Sequence, residues 1–195
     1  MPWVRFSIRP PDIAQQLEHL PTPVCYVLEQ YSVLDEMVVQ RACAQLKLSR
    51  PGKPLVVGEK RIASRSVIAL ARQVGLLRQR LDRRPPPELQ SLLAAARKDP
   101  SLDVTLLPVT VYWGRRPERE SGWFDLLMSE DWTLSSRLRR LVTVIFNGRK
   151  TLVEFGQGVS LRSLIPEDTP DLQASRRIAR NLMATLDAGR TAYLG

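Results

Sequence analysis

Group transfer needs a nucleophile, a base or a metal, and this sequence is sparing with all three. Its one histidine, His19, is the one side chain whose ordinary titration range includes neutral pH. It sits in the proline-punctuated connector EHLPTP, where a surface or capping role is expected. A single histidine excludes a three-histidine metal centre, and His19 with Cys25 and Cys43 has no zinc-ligand spacing, so no metal site is expected. The two cysteines lie in apolar stretches and read as buried, reduced thiols, not as a disulfide framework. No Gly-x-Gly-x-x-Gly, Walker loop or Gly-x-Ser-x-Gly elbow occurs, and no cofactor is expected.

The basic residues say more. Twenty-nine Lys and Arg against 20 Asp and Glu give +9 over 195 residues, a balance that favours anionic partners. Residues 61–98 hold nine basic and two acidic residues. Within them Val67, Leu70, Val74, Leu77 and Leu81 recur at spacings of three and four, which predicts an amphipathic helix over 61–82. Its opposite face would carry Arg61, Arg65, Arg72 and Arg83. Trp123, Phe124 and Trp132 lie in WFDLLMSEDW, which reads as a core cluster or as an interfacial aromatic patch. These four arginines and three aromatics are the candidate membrane or head-group surface.

Elements must position these groups. The chain has 44% hydrophobic and 25% charged residues, ordinary for one globular domain or two small ones. That excludes a disordered tail, a fibre and a disulfide-rich mini-protein. No apolar window is long enough for a transmembrane helix, and MPWVRFSIRPPD has no signal-peptide core. Trp3, Phe6 and Ile8 predict a short edge strand, and 12–20 a turn or two of helix. Strands are expected at 24–28, 55–57, 102–114, 141–146 and 151–155, the last two joined by the hairpin signal Asn147-Gly148. Pro108 should break its strand with a bulge or an end. Helices are expected from Ser32, which with Asp35 resembles a capping box, over 88–97, over 134–141, and from Thr169-Pro170-Asp171 to a stop at Ala188-Gly189. Alternating strands and helices predict an α/β domain with a mixed sheet flanked by helices.

Four stretches resemble the N-terminal region of the large membrane-associated bacterial glycerol-3-phosphate acyltransferases. They are PVCYVLEQYSVLDEMVVQRAC at 23–43, PSLDVTLLPVTVYWGRRPERESG at 100–122, LVTVIFNGRKTLVEF at 141–155 and VSLRSLI at 159–165. The resemblance implies a parent enzyme that moves an acyl group from acyl-CoA or acyl carrier protein to glycerol 3-phosphate, in the first acylation step of phospholipid synthesis. It implies a peripheral place on the cytoplasmic face of the inner membrane. The family's catalytic histidine and aspartate form a His-x-x-x-x-Asp motif. This chain has none, since Val24 stands five residues after His19. In VCYVLEQYSVLD, Gln30 stands where that histidine would and Asp35 five residues on, which implies a degenerate acyltransferase-like domain without its base.

The organisation implied is an arm at 1–22, the acyltransferase-like α/β domain at 23–168, and a helix at 169–195 leading toward a catalytic domain outside these residues. The expected function is that of a non-catalytic N-terminal domain. Its partners would be the catalytic domain of the same parent chain and an anionic membrane surface. The alternative is a basic nucleic-acid- or anion-binding module. No helix-turn-helix, aromatic RNA platform or zinc finger accompanies the charge, so nucleic acid is not the expected partner.

Overall fold

A computed structural model describes residues 6–57, 60–74, 80–82, 84–113, 151–166 and 169–194. The strands are β1 (Phe6–Arg9), β2 (Val24–Gln30), β3 (Leu55–Val57), β4 (Lys60–Ala63), β5 (Val67–Val74), β6 (Arg80–Asp82), β7 (Thr105–Trp113), β8 (Thr151–Phe155) and β9 (Val159–Ser160). The helices are α1 (Ile13–Leu17), α2 (Val33–Gln45), α3 (Pro87–Lys98), α4 (Leu161–Leu164) and α5 (Asp171–Leu194). The chain divides into two compact units, Met1–Ser7 with Tyr112–Leu152, and Ile8–Val111 with Val153–Gly195. In the smaller unit the described residues are strand ends, of which Thr151 and Leu152 are buried.

In the larger unit the sheet order is β1-β8-β7-β2-β5-β6, with β9 on β7, and β3 and β4 form a separate antiparallel pair. β2 is central and parallel to both β5 and β7, whereas β6 and β9 run antiparallel to their neighbours. This is the mixed α/β sheet that the sequence predicts. Cys25, Val27, Ile68, Leu70, Val104 and Leu106 share one face and pack with Leu92, Leu93, Ile178, Leu182 and Leu186 of α3 and α5. Registered partners Tyr26 and Val67, Leu28 and Ala69, and Gln30 and Ala71 share the other face. There α2 buries Val38, Val39, Ala42 and Cys43, and the Tyr26 hydroxyl donates to the Ser49 carbonyl at 2.6 Å.

Local chemistry explains the boundaries. The Ser32 side chain accepts from the Asp35 amide at 3.3 Å, capping α2. Lys47, at φ 57°, lets Leu48 N–H reach the Cys43 carbonyl at 2.8 Å and closes the helix. Proline opens α3, and Arg97 and Lys98 occupy its last turn.

Three expectations need correction. The predicted helix over 61–82 is instead β4, a turn, β5 and β6. VIALA is apolar at every position, because β5 is covered on one face and lines a groove on the other, and such a run mimics a buried helix. Arg61, Arg65 and Arg72 therefore share no helical face. Pro108 neither bulges nor ends β7, whose carbonyl at that position accepts from Gly156 N–H at 2.8 Å. The ladder to β2 closes with the pair Val27↔Pro108. Finally, α5 continues through Gly189 to Leu194. A helical glycine costs about 1 kcal/mol, which the ion pair of Arg190 with Glu29 on β2 helps to offset.

Candidate functional site

β2 is the strand about which the sheet order reverses, and open α/β sheets place ligands outside the carboxyl ends of such strands. A groove of about 520 Å³ begins there. Its floor is Val67, Ala69 and Ala71, the small side chains on the α2 side of β5. Two alanines in succession on one face leave the depth that a larger residue would fill. Gln30 and Tyr31 leave β2 along one wall, Ser64 and Arg65 of the β4–β5 turn form another, and Glu88 of α3 joins them.

A hydrogen-bonded triangle holds the mouth. The Tyr31 hydroxyl donates to Glu36 Oε2 at 2.8 Å. Arg65 Nη1 donates to that hydroxyl at 2.9 Å and to Glu36 Oε2 at 3.1 Å. Glu36 is 9% exposed, and a charge so enclosed needs both partners. Burial, then the bond to Glu36, pushes the Tyr31 hydroxyl above the usual tyrosine range. The bond to Tyr31, then the Glu36 charge, raises Arg65 further. Arg65 is thus a fixed cation and Tyr31 a fixed phenol at neutral pH. Among the described residues no histidine or thiol lines the groove. A guanidinium, an amide, hydroxyls and a carboxylate around an apolar floor suit recognition of a polar or amphiphilic group better than nucleophilic attack.

The predicted residues distribute unevenly. Gln30 and Arg65 meet in the groove. Asp35 is in the first turn of α2 and is not in the lining. Arg61 is exposed on β4, and Arg72 lies on β5. Arg83, Trp123, Phe124 and Trp132 lie outside the described residues, as do the strand expected at 141–146 and the helix expected at 134–141. His19 is exposed in the turn after α1. Cys25 and Cys43 are buried, free thiols, pushed up by burial to about 12 and about 11. Tyr31, Glu36 and the alanine floor were not singled out from the sequence. Alternate small residues in VIALA were the available signal for the floor. Nothing local joins Glu36 to Arg65.

Fold and groove together define an α/β domain with a mixed sheet flanked by helices and a groove beside its central strand. The chain belongs to the family described as the glycerol-3-phosphate acyltransferase PlsB N-terminal domain, whose model matches residues 1–195. It is 36% identical over 203 residues to a glycerol-3-phosphate acyltransferase of Xylella fastidiosa, covering all of this chain and 23% of that one. It is 35% identical over 198 residues to one of Xanthomonas axonopodis pv. citri, covering all of this chain and 22% of the relative. One of Ectopseudomonas mendocina is 34% identical over 89% of this chain and 21% of its own length. The chain therefore spans less than a quarter of these relatives and corresponds to an N-terminal region. No solved structure matches it.

Proposed function

We propose that the chain is a non-catalytic N-terminal domain of a glycerol-3-phosphate acyltransferase. It docks on the catalytic domain of the same parent chain and helps to seat it, as a peripheral protein, on the cytoplasmic face of the inner membrane. The observation that carries this is the match over the whole chain to only 22–23% of the relatives. The absence of His-x-x-x-x-Asp from the sequence supports a non-catalytic role, because losing a general base removes a factor of roughly 10²–10⁴. Gln30 cannot accept a proton near neutral pH, so a degenerate acyltransferase-like domain at 23–168, preceded by an arm and followed by the 169–195 helix, accommodates it. The net charge of +9 supports the membrane part. Among the described residues no helix is long and apolar enough to cross a bilayer. Tyr31, Val33 and Met37, exposed at 48%, 50% and 39% beside the groove, supply the docking face.

The test is acyl transfer from acyl-CoA to glycerol 3-phosphate by the purified chain, alone and with a separately expressed catalytic portion. No turnover alone, with binding and raised activity in the mixture, is the expected result. Turnover by the 195-residue chain alone overturns the non-catalytic assignment.

A further inference from the structure

Helix α5 keeps Ala174, Ile178, Leu182 and Leu186 in the core. Its opposite side is exposed and carries Gln173, Arg176, Arg177 and Arg180. None of these three arginines has a hydrogen-bond or ion-pair partner among the described residues. Asp171 and Asp187 bracket them in the chain, and residues 172–186 hold no carboxylate. Asp171 is already engaged by Arg97 at 2.8 Å. Arg176 and Arg180 stand four residues apart, and Arg177 and Arg180 three, the spacings at which like charges on a helix repel. All three lie within about 6 Å along the helix axis. That is inside the ~10 Å over which an exposed charge is felt at 0.1 M salt, so they act as one positive field. One turn before Arg176, Leu172 is 48% exposed. Uncompensated arginines with an exposed leucine at their edge have the character of a helix face that lies on a lipid surface. A nucleic-acid duplex would use the charge and leave the leucine in water, whereas a bilayer uses both.

We propose that this face of α5 is where the chain meets an anionic lipid surface. The inference rests on the membrane part of the proposed function and names the residues that make the contact. Arg176, Arg177 and Arg180 lie among the lipid head groups, and Leu172 enters the boundary beside them. Exposed side chains on a convex helix face enclose no single phosphate, so they respond to the charge of the surface and lysine should serve as well as arginine. The face is distinct from Arg61, Arg65, Arg72 and Arg83, the arginines that sequence periodicity picked out.

The experiment uses the full chain and three triple variants, R176Q/R177Q/R180Q, R176K/R177K/R180K and R50Q/K53Q/R61Q. The last removes the same charge from exposed positions off α5. Circular dichroism verifies each fold. Flotation with vesicles of phosphatidylcholine, with and without phosphatidylglycerol, is measured at low and high salt. The parent chain is expected to bind only with phosphatidylglycerol and to lose binding as salt rises. The glutamine variant on α5 should weaken this about five-fold per arginine, about a hundred-fold in all, and the lysine variant should stay within about two-fold. Equal losses for the α5 glutamine variant and the control overturn the assignment to α5 while membrane seating stands. A lysine variant as weak as the glutamine variant overturns the surface-charge reading in favour of specific guanidinium contacts. No flotation of the parent chain removes membrane seating and this face with it, and leaves docking on the catalytic portion, read by binding in the mixture, as a separate result. Binding of a duplex oligonucleotide in place of vesicles, lost in the glutamine variant, overturns the proposal in favour of nucleic acid.

Discussion

Arg65 and Glu36, 29 residues apart in the chain, meet at 3.1 Å between Nη1 and Oε2. This contact pins the β4–β5 turn to the first turn of α2 and closes one end of the groove. Tyr31, bonded to both, sets the direction in which the chain leaves β2.

Removing the arginine tests that triangle. The Arg65 side chain is 47% exposed, so the pair itself is screened, but that of Glu36 is only 11% exposed. R65A leaves an enclosed carboxylate with Tyr31 as its remaining partner in the triangle and is expected to cost about 1–2 kcal/mol in urea unfolding. Y31F should cost about 1 kcal/mol, and the double variant less than the sum of the two. R65A no worse than R61A, an exposed neighbour on β4, would count against the role given to the contact.

The buried thiols predict behaviour with pH. Cys25 and Cys43 have their pKa raised by burial from 9.0 to about 12 and about 11. The folded state then holds protons that the unfolded state has released. The stabilisation is complete below pH 9.0 and declines as pH rises toward 11 and 12. Stability measured at pH 8 and pH 10.5 should therefore fall, and iodoacetamide at pH 8 should label the cysteines only after denaturation. Fast labelling of the native protein would contradict their burial.

Backbone geometry predicts substitutions of opposite sign. Lys47 occupies the left-handed region at φ 57°, where a β-carbon is costly, so K47G should stabilise by about 0.5–1 kcal/mol. A β-carbon on Gly158 would lie 2.7 Å from Leu20 Cδ1 and 3.1 Å from Thr105 Cγ2. G158A should destabilise by about 1–3 kcal/mol. Thermal unfolding of the two variants beside the parent chain decides both signs.

Arg162 donates through Nη2 to the carbonyls of Ala96, Asp99 and Leu102, at 3.0, 2.9 and 3.1 Å. It thereby satisfies the end of α3 from α4. R162A should cost about 1–3 kcal/mol, and R162K should recover only part of it, since a point charge cannot reproduce the planar donor. Full recovery in R162K would reduce the role to charge alone.

A functional prediction concerns His19. If the domain supplies no base, H19A leaves the activity of the chain mixed with a catalytic portion unchanged, within two-fold. A loss of the order of 10² or more, the scale of a general base, would reopen the search for chemistry in these residues.

Much of this was legible in residue order. VCYVL, LVV and TLVEF are β-branched or apolar and short, and each became a strand. Ser32 and the Thr169-Pro170-Asp171 start marked helix entries correctly. VIALARQV misled because apolar spacing in a strand covered on one face and lining a groove with small side chains on the other also satisfies a helical period. In the candidate site, Gln30 and Arg65 were visible as residues but not as neighbours. Glu36 was not singled out in the sequence, and only the position of Arg65, arriving from the β4–β5 turn, makes it a buried partner.

The sequence by itself determined what chemistry is available: one histidine with no aspartate at the right spacing, a strong basic excess, and element types set by local periodicity and capping. These are properties of neighbours within a few residues, where sterics and hydrogen bonding act without the rest of the chain. Tertiary structure decided which face of β5 became a groove, which carboxylate met Arg65, and that Leu172 stays exposed beside Arg176 on α5. Those depend on parallel pairing across long crossovers and on helix packing, where burial over the whole sheet outweighs local preference.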